Sequence, residues 1–548
     1  MKATVKMKAT IAAIAFVAAN CAFAAGAANP AGSKGGDSVL GPWRLPKTAR
    51  IENQVLTISA PLSATNSHNK AMAKIDLRPY LEKELHISMK VRCKNLVCPK
   101  KSRYHWLGAK FMLSYKNKVS GHTNYPGAPL PDDTGDFEGE FSMIVPLYGV
   151  EADYGNLCLG LEEASGEISF DLSTLRISAE RSLFPPKNVG LKSKYTNLVA
   201  KRPVLRGAMV MPDLKEQDVA DLASWGGRLM RYQFIFLREK GYSADKATKE
   251  ESIAKFRRDA AKHLDYLENN VLGWARKYGM MVVVDMHTFP VGPKVEKGPR
   301  ASIFGDDELF GAFRDEWKKI AARLKGNEDV IYGYDIINEP EQSAPQKYGY
   351  FGLQEQVARE IRKIDPVTPI VLESNGCCCP GSYYYMNALD LPDVIYQVHV
   401  YQPLTYTHQR VGSGRPNRLP YPSPATGNAP AIDKEYLRKT LVPVLKFQKE
   451  HGCRIYVGEF SAVAWAEGAA QYLDDLISLF EEYGWDWSYH AFREYPGWSV
   501  EHEASDYNNY RKAEKDTDRK KVLLKGFANG LRNRGRKSGR KTRKGKSL

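Results

Sequence analysis

The chain has 548 residues, too many for one small hydrophobic core, so two domains are expected. Its 43% hydrophobic and 26% charged content are ordinary globular values. The formal net charge of +16 would suit nucleic-acid binding if it were spread over the body. Nine basic residues with no acid fall in 532–548, however, and Lys2, Lys6 and Lys8 add three, which leaves about +4 for the rest and argues against a specific nucleic-acid partner.

Residues 1–24 read as a cleaved signal peptide: a lysine-bearing start, a short apolar run from Ile11 to Ala19, and Ala22-Phe23-Ala24 before the cut. That run is too short to span a bilayer and no later segment reads as transmembrane, so a secreted or periplasmic protein is expected. Cleavage removes Cys21 and leaves seven cysteines. Cys93 and Cys98 are close enough in sequence to pair in an oxidising compartment. The spacings match no zinc finger or ribbon, and Cys377-Cys378-Cys379 has no histidine at ligand spacing, so neither a metal nor a cofactor is expected.

From 40 to 183 the apolar residues recur with period two: Leu85, Ile87, Met89 and Val91; Leu157, Leu159 and Leu161; Ile168, Phe170 and Leu172. Short alternating strands broken by turn-rich pieces predict an antiparallel β-sandwich. Residues 184–202, opening on Phe184-Pro185-Pro186, read as a linker. From 203 to 531 strands and amphipathic helices alternate. Eight strands are predicted, at 205–211, 228–235, 281–286, 330–337, 369–373, 394–400, 454–460 and 485–492. Helices are predicted at 214–224, 251–278, 307–324, 353–364, 433–451, 469–483 and 520–531. This rhythm fits a (β/α)8 barrel, a TIM barrel, better than a doubly wound sheet, for which a glycine-rich phosphate turn is missing. The tail 532–548 has nothing to bury and reads as disordered, either solvated or held weakly to an anionic surface.

Two apolar runs, Ile331–Pro340 and Ile455–Phe460, carry a glutamate where a buried strand would run out: Glu339 and Glu459. An unpaired buried carboxylate is costly, and in a barrel the carboxyl ends of the strands converge on one mouth. Two carboxylates facing one cleft are the equipment for cleaving a glycosidic bond. Counting places them after the fourth and seventh strands.

With Asn338-Glu339-Pro340 and Val457-Gly458-Glu459-Phe460 so placed, residues 203–530 resemble glycoside hydrolase family 5, the cellulase family of clan A. The resemblance implies that Glu339 is the acid/base and Glu459 the nucleophile of a retaining mechanism. It implies that Arg231 holds the nucleophile ionised, that His287 belongs to the sugar subsite, and that His399-x-Tyr401 is the sixth-strand pair, with Tyr401 bonded to the nucleophile. Asn338 would bond the sugar 2-hydroxyl. One departure stands out: where the family has a tryptophan platform at the end of strand eight, this chain has His490, which leaves Trp498 or Trp465 to supply a platform or the sugar preference to differ. Tyr406 and His408 are subsite residues or loop packing, Glu373 serves substrate binding or a salt bridge, and Asp285 and Asp335 are structural. The N-terminal domain resembles, in pattern and position only, a jelly-roll-like carbohydrate-binding module; the alternative is a structural domain that supports the barrel.

The expected function is hydrolysis of a β-linked polysaccharide or oligosaccharide, endo-β-glucanase or mannanase-like. A silent glycan-binding protein and a transglycosylase are the alternatives on the same scaffold.

Overall fold

The structure, a computed structural model, describes residues 40–528 apart from 62–67, 99–106, 119–122, 129, 132–134, 180–187, 294–300, 343–345, 412–417, 427–429 and 508. The expected signal segment, the basic tail and much of the loops at 292–299 and 412–427 lie outside the described residues. No described helix is long and apolar enough to cross a membrane.

Residues 40–178 form two antiparallel five-stranded sheets. One runs, in spatial order, Leu40–Arg44, His68–Asp76, Tyr154–Glu162, Gly108–Lys116 and Thr123–Asn124; the other runs Ala49–Glu52, Val55–Ala60, Ser165–Ser178, Glu84–Val97 and Gly135–Pro146. The period-two residues explain the packing, because alternate side chains of a strand point to one face. Leu85, Ile87, Met89 and Val91 from one sheet and Leu157, Leu159 and Leu161 from the other fill a shared core. A register shift between Asp171 and Arg176 breaks the alternation, so Leu175 enters the core and Leu172 packs only at its margin. The expected Cys93–Cys98 disulfide is not formed.

Eight parallel strands close into a barrel: Arg206–Val210, Leu229–Gln233, Met281–Asp285, Ile331–Asp335, Ile370–Glu373, Val394–Val400, Arg454–Phe460 and Asp486–Phe492. Several helices begin where a side chain can satisfy the free amides of the first turn. Asp306 caps Asp307–Leu324 through the amides of Glu308 and Leu309, and Thr248 caps Lys249–Tyr266 through Glu251. Two predicted helices are interrupted. The stretch 251–278 passes through a π-turn at Leu267–Val271, and 433–451 divides into Lys434–Thr440 and Val442–His451, with Pro443 opening the second piece as a residue lacking an amide hydrogen should.

The fifth connection holds no full helix, only short turns at Asn375–Cys378 and Pro380–Tyr384. The sandwich packs here. Ile144 and Tyr148 join the barrel's own core, and a Cβ on Gly149, whose φ is +65°, would stand 2.0 Å from the Tyr384 ring. Beside this contact a cavity of about 80 Å³ is lined by Tyr115, Asn117, Tyr148, Tyr384, Gln402 and Lys439.

Candidate active site

Inside the barrel the lowest layer is apolar: Leu205, Leu229, Val283, Tyr332, Val371, Ile395 and Tyr456. Two residues further along the second, third, fifth and sixth strands the same inward face carries Arg231, Asp285, Glu373 and Gln397, all fully buried or nearly so. Buried charge is tolerated only when it is paired, and Arg231 supplies the pairing. Its Nε donates to Asp335 at 3.0 Å, one terminal nitrogen meets Glu459 Oε1 at 2.7 Å, and the other meets Glu373 at 2.9 Å, Asp285 at 3.1 Å and the Asn338 side-chain oxygen at 2.9 Å. The planar guanidinium, with five donors, fits a ring of acceptors that an ammonium could not serve.

Glu339 stands just beyond the fourth strand in a left-handed backbone conformation, φ +49°. Its amide donates to Glu373 Oε2 at 2.6 Å and its own carboxylate accepts from His399 Nδ1 at 2.9 Å. A non-glycine residue with positive φ is strained and persists where its surroundings enforce it; here Glu373 and His399 hold both ends. Glu459 lies within the seventh strand. Tyr401 donates to its Oε2 at 2.9 Å, and His490 Nδ1 lies 3.3 Å from the same oxygen. Carboxylate oxygens of Glu339 and Glu459 come within 4.8 Å of each other, with His399 Nδ1 between them. The Glu339 side chain is 15% exposed and that of Glu459 5%, so Glu339 has the better access to solvent.

The surroundings drive the two carboxyls apart. Burial, then the adjacent Glu459 anion, pushes Glu339 well above the ordinary carboxyl range. Burial acts on Glu459 in the same sense, but the charges of His399, His490 and Arg231 outweigh it and hold Glu459 below that range. Of these three His399 is neutral at ordinary pH, because burial brings it down to about 3, so the cations that act on Glu459 there are Arg231 and His490. Beneath the pair, burial raises Asp335 to about 7 and Glu373 well above its usual value, both against the pull of Arg231. The lower carboxyls therefore tend to hold protons, and the guanidinium charge is directed largely at Glu459.

Two trios, Glu339–His399–Glu459 and Glu373–Cys378–His399, bring donor atoms close enough to surround a cation. Both need His399. Its Nδ1 is hydrogen-bonded to Glu339 and its Nε2 accepts from Gln397 at 3.2 Å, so a neutral imidazole has no lone pair left for a metal.

The remaining predicted residues gather at the same mouth. His287 is oriented by Asp285, Nδ1 to Oδ2 at 2.8 Å. Trp498 stacks on His490 with centroids 6.0 Å apart and planes at 28°, and its ring also meets Tyr401 and His408. Trp465 is occupied elsewhere, its indole donating to the Gln409 carbonyl at 2.8 Å, and Tyr406 is fully buried against Glu467. Glu373 is held by Arg231 at 2.9 Å, turned to the buried cluster.

Gln397 was not among the predicted residues. Its amide reaches Asp335 at 3.1 Å, Glu373, and His399, and a Cβ on Gly458 would lie 2.5 Å from it, so glycine is required beside the nucleophile. Its position two residues before His399 on one strand was the available signal. Glu494 and Gln233, joined at 3.0 Å behind His490, carried no such signal.

A family model, Cellulase (glycosyl hydrolase family 5), matches residues 205–495. Endoglucanase C of Acetivibrio thermocellus is 26% identical over 267 residues, covering 44% of this chain and 76% of that protein. Cellodextrinase A of Ruminococcus flavefaciens is 23% identical over 278 residues, covering 50% and 76%. A solved structure of Thermotoga maritima Cel5A in complex with cellobiose aligns at 18% identity and a TM-score of 0.43, over 60% of this chain and 100% of that one.

Proposed function

The chain belongs to glycosyl hydrolase family 5, the cellulase family, and from that footing we propose that it cleaves β-linked glucan-type chains with retention, using Glu459 as nucleophile and Glu339 as acid/base. It is an endoglucanase-like glycoside hydrolase. The observation that carries the retaining reading is that both carboxyls flank His399 Nδ1, at 2.9 and 3.9 Å, so that an oxygen of one lies less than 4.8 Å from an oxygen of the other. Retaining enzymes hold them roughly 5–5.5 Å apart, whereas inverting enzymes leave about 6.5–9.5 Å for a water.

Ionised Glu459 attacks the anomeric carbon while Glu339 gives its proton to the departing oxygen. The glycosidic C–O bond breaks as the ester to Glu459 forms. Esterification removes the anion that kept Glu339 protonated, so Glu339 becomes a carboxylate. It then takes a proton from the incoming water, whose oxygen displaces Glu459 and frees a sugar of the original configuration. The Asn338 side-chain oxygen accepts from Arg231, which leaves the amide hydrogens for the sugar 2-hydroxyl. His287 and Trp498 bound the same subsite.

Under this reading the sandwich braces the loops beyond the fifth and sixth strands at Gly149–Tyr384, and residues 1–24 direct export. Replacing Glu459 by glycine tests the assignment of the nucleophile. Turnover of an aryl β-cellobioside should vanish and azide should restore it with a glycosyl azide as product. Near-normal activity without azide would remove Glu459 from the role.

A further inference from the structure

Where the family has a tryptophan platform, this chain has an imidazole between two carboxylates. His490 is 1% exposed. Tyr401 spends its proton on Glu459 Oε2 and therefore presents a lone pair to His490 Nδ1, which also lies 3.3 Å from that carboxylate oxygen. On the far side of the ring, Nε2 lies 3.5 Å from Glu494 Oε2. Nδ1 thus faces two acceptors at close range, and Nε2, which makes no hydrogen bond, has the Glu494 carboxylate as its nearest ion-pair partner, an arrangement that favours the doubly protonated ring.

Glu494 is itself held. Gln233 donates to its Oε2 at 3.0 Å, and its side chain is 5% exposed. The preceding residue, Arg493, is left-handed at φ +56° and pinned by Asp218 and Asp221 at 2.7 Å and Glu501 at 2.8 Å. That clamp fixes the turn from which Glu494 projects back towards the strand.

We propose that Glu494 is a positioning residue that keeps His490 an imidazolium throughout the catalytic cycle, giving the nucleophile a second cation on the oxygen opposite Arg231. The proposal rests on Glu459 being the nucleophile. When Glu459 becomes an ester its charge disappears, and Glu494 is then the one anion beside His490 that still holds its proton. The charged and titratable groups facing the ring are Glu459 on the seventh strand, Tyr401 after the sixth, Glu494 after the eighth, and Arg231 and His399 across the barrel. Burial and Arg231 lower the basicity of His490, Glu459 and Glu494 raise it, and the balance is upward.

The test uses the full chain labelled at histidine carbon and followed by NMR, with kcat/KM measured across pH. In the unaltered protein His490 should titrate above about 6.5, the ordinary histidine value; a midpoint below it overturns the proposal. In Glu494→Gln that midpoint should fall by a unit or more. kcat/KM should then drop at least tenfold above the new midpoint and stay within about twofold of the parent below it. Adding Glu494→Gln to His490→Phe should change nothing further. A loss equal at every pH, or an unmoved His490 midpoint, overturns the proposal. The NMR midpoint needs no turnover, so it separates failure of this inference from failure of the nucleophile assignment.

Discussion

Replacing Arg231 by methionine removes the fully buried cation at the centre of the site. One terminal nitrogen lies 2.7 Å from Glu459, and the other groups in its reach are Asp335, Glu373, Asp285 and Asn338. Two charges about 4 Å apart at an effective dielectric near 20 attract by about 4 kcal/mol, roughly a thousandfold in an ionisation equilibrium. Glu459 is held below its ordinary range and must be ionised to attack, so its contribution is present above its pKa and lost as pH falls. Without Arg231 the acidic limb of kcat/KM moves to higher pH, by up to about three units, towards the ordinary carboxyl range. Folding responds with the opposite sign. Asp335 and Glu373, already raised, take up protons in the variant's native state, so its stability falls as pH rises. Breaking a buried pair costs about 3–5 kcal/mol, and these protonations reduce that cost in acid. Arg231→Lys should fall between the two, because one ammonium cannot span the acceptors. The assay is kcat/KM on an aryl β-cellobioside from pH 4 to 9 beside denaturant titrations at both ends. A folded Arg231→Met protein whose acidic limb has not moved would refute the electrostatic argument.

Glu339→Gln should slow hydrolysis of unactivated oligosaccharides at least a hundredfold while sparing glycosylation by dinitrophenyl glycosides, and burst kinetics would show the difference; equal losses on both substrates would contradict the proton-donor role. In Glu459→Gln the Glu339 carboxyl should titrate lower than in the parent, because the adjacent anion that raises it is gone; carbon NMR or infrared titration reads this directly. Trp317 is fully buried and its indole donates to the Ile336 carbonyl at 2.9 Å beneath the Glu339 loop, so Trp317→Ala should cost about 3–5 kcal/mol in chemical denaturation of the barrel. Gly149→Ala drives a methyl group into the Tyr384 ring; limited proteolysis should then cut between sandwich and barrel far faster than in the parent, and unchanged cleavage would count against the bracing role.

The alternation of Leu85 to Val91 and of Leu157 to Leu161 made the two sheets legible, because a strand's side-chain period is local. The order of those sheets was not, because strand neighbours far apart in sequence are chosen by packing. Leu172 shows the limit: its alternation points inward, and a bulge shifts the register and buries Leu175 instead. The barrel was legible from eight apolar runs. The break at Pro443 was written in the sequence, while the π-turn at 267–271 was not. The missing helix of the fifth unit became meaningful only when the sandwich was seen covering it.

By itself the sequence placed two glutamates at the ends of the fourth and seventh barrel strands, since strand-end positions in a closed barrel converge wherever they lie in the chain, and the resemblance to the cellulase family added Arg231, His287, His399 and Tyr401. The tertiary structure alone decided how the charges are shared. It put Arg231 among four carboxylates, left His399 neutral, and set His490 between Glu459 and Glu494. Protonation in a buried cluster depends on distances of a few ångströms and on lost water, and neither is written in residue order.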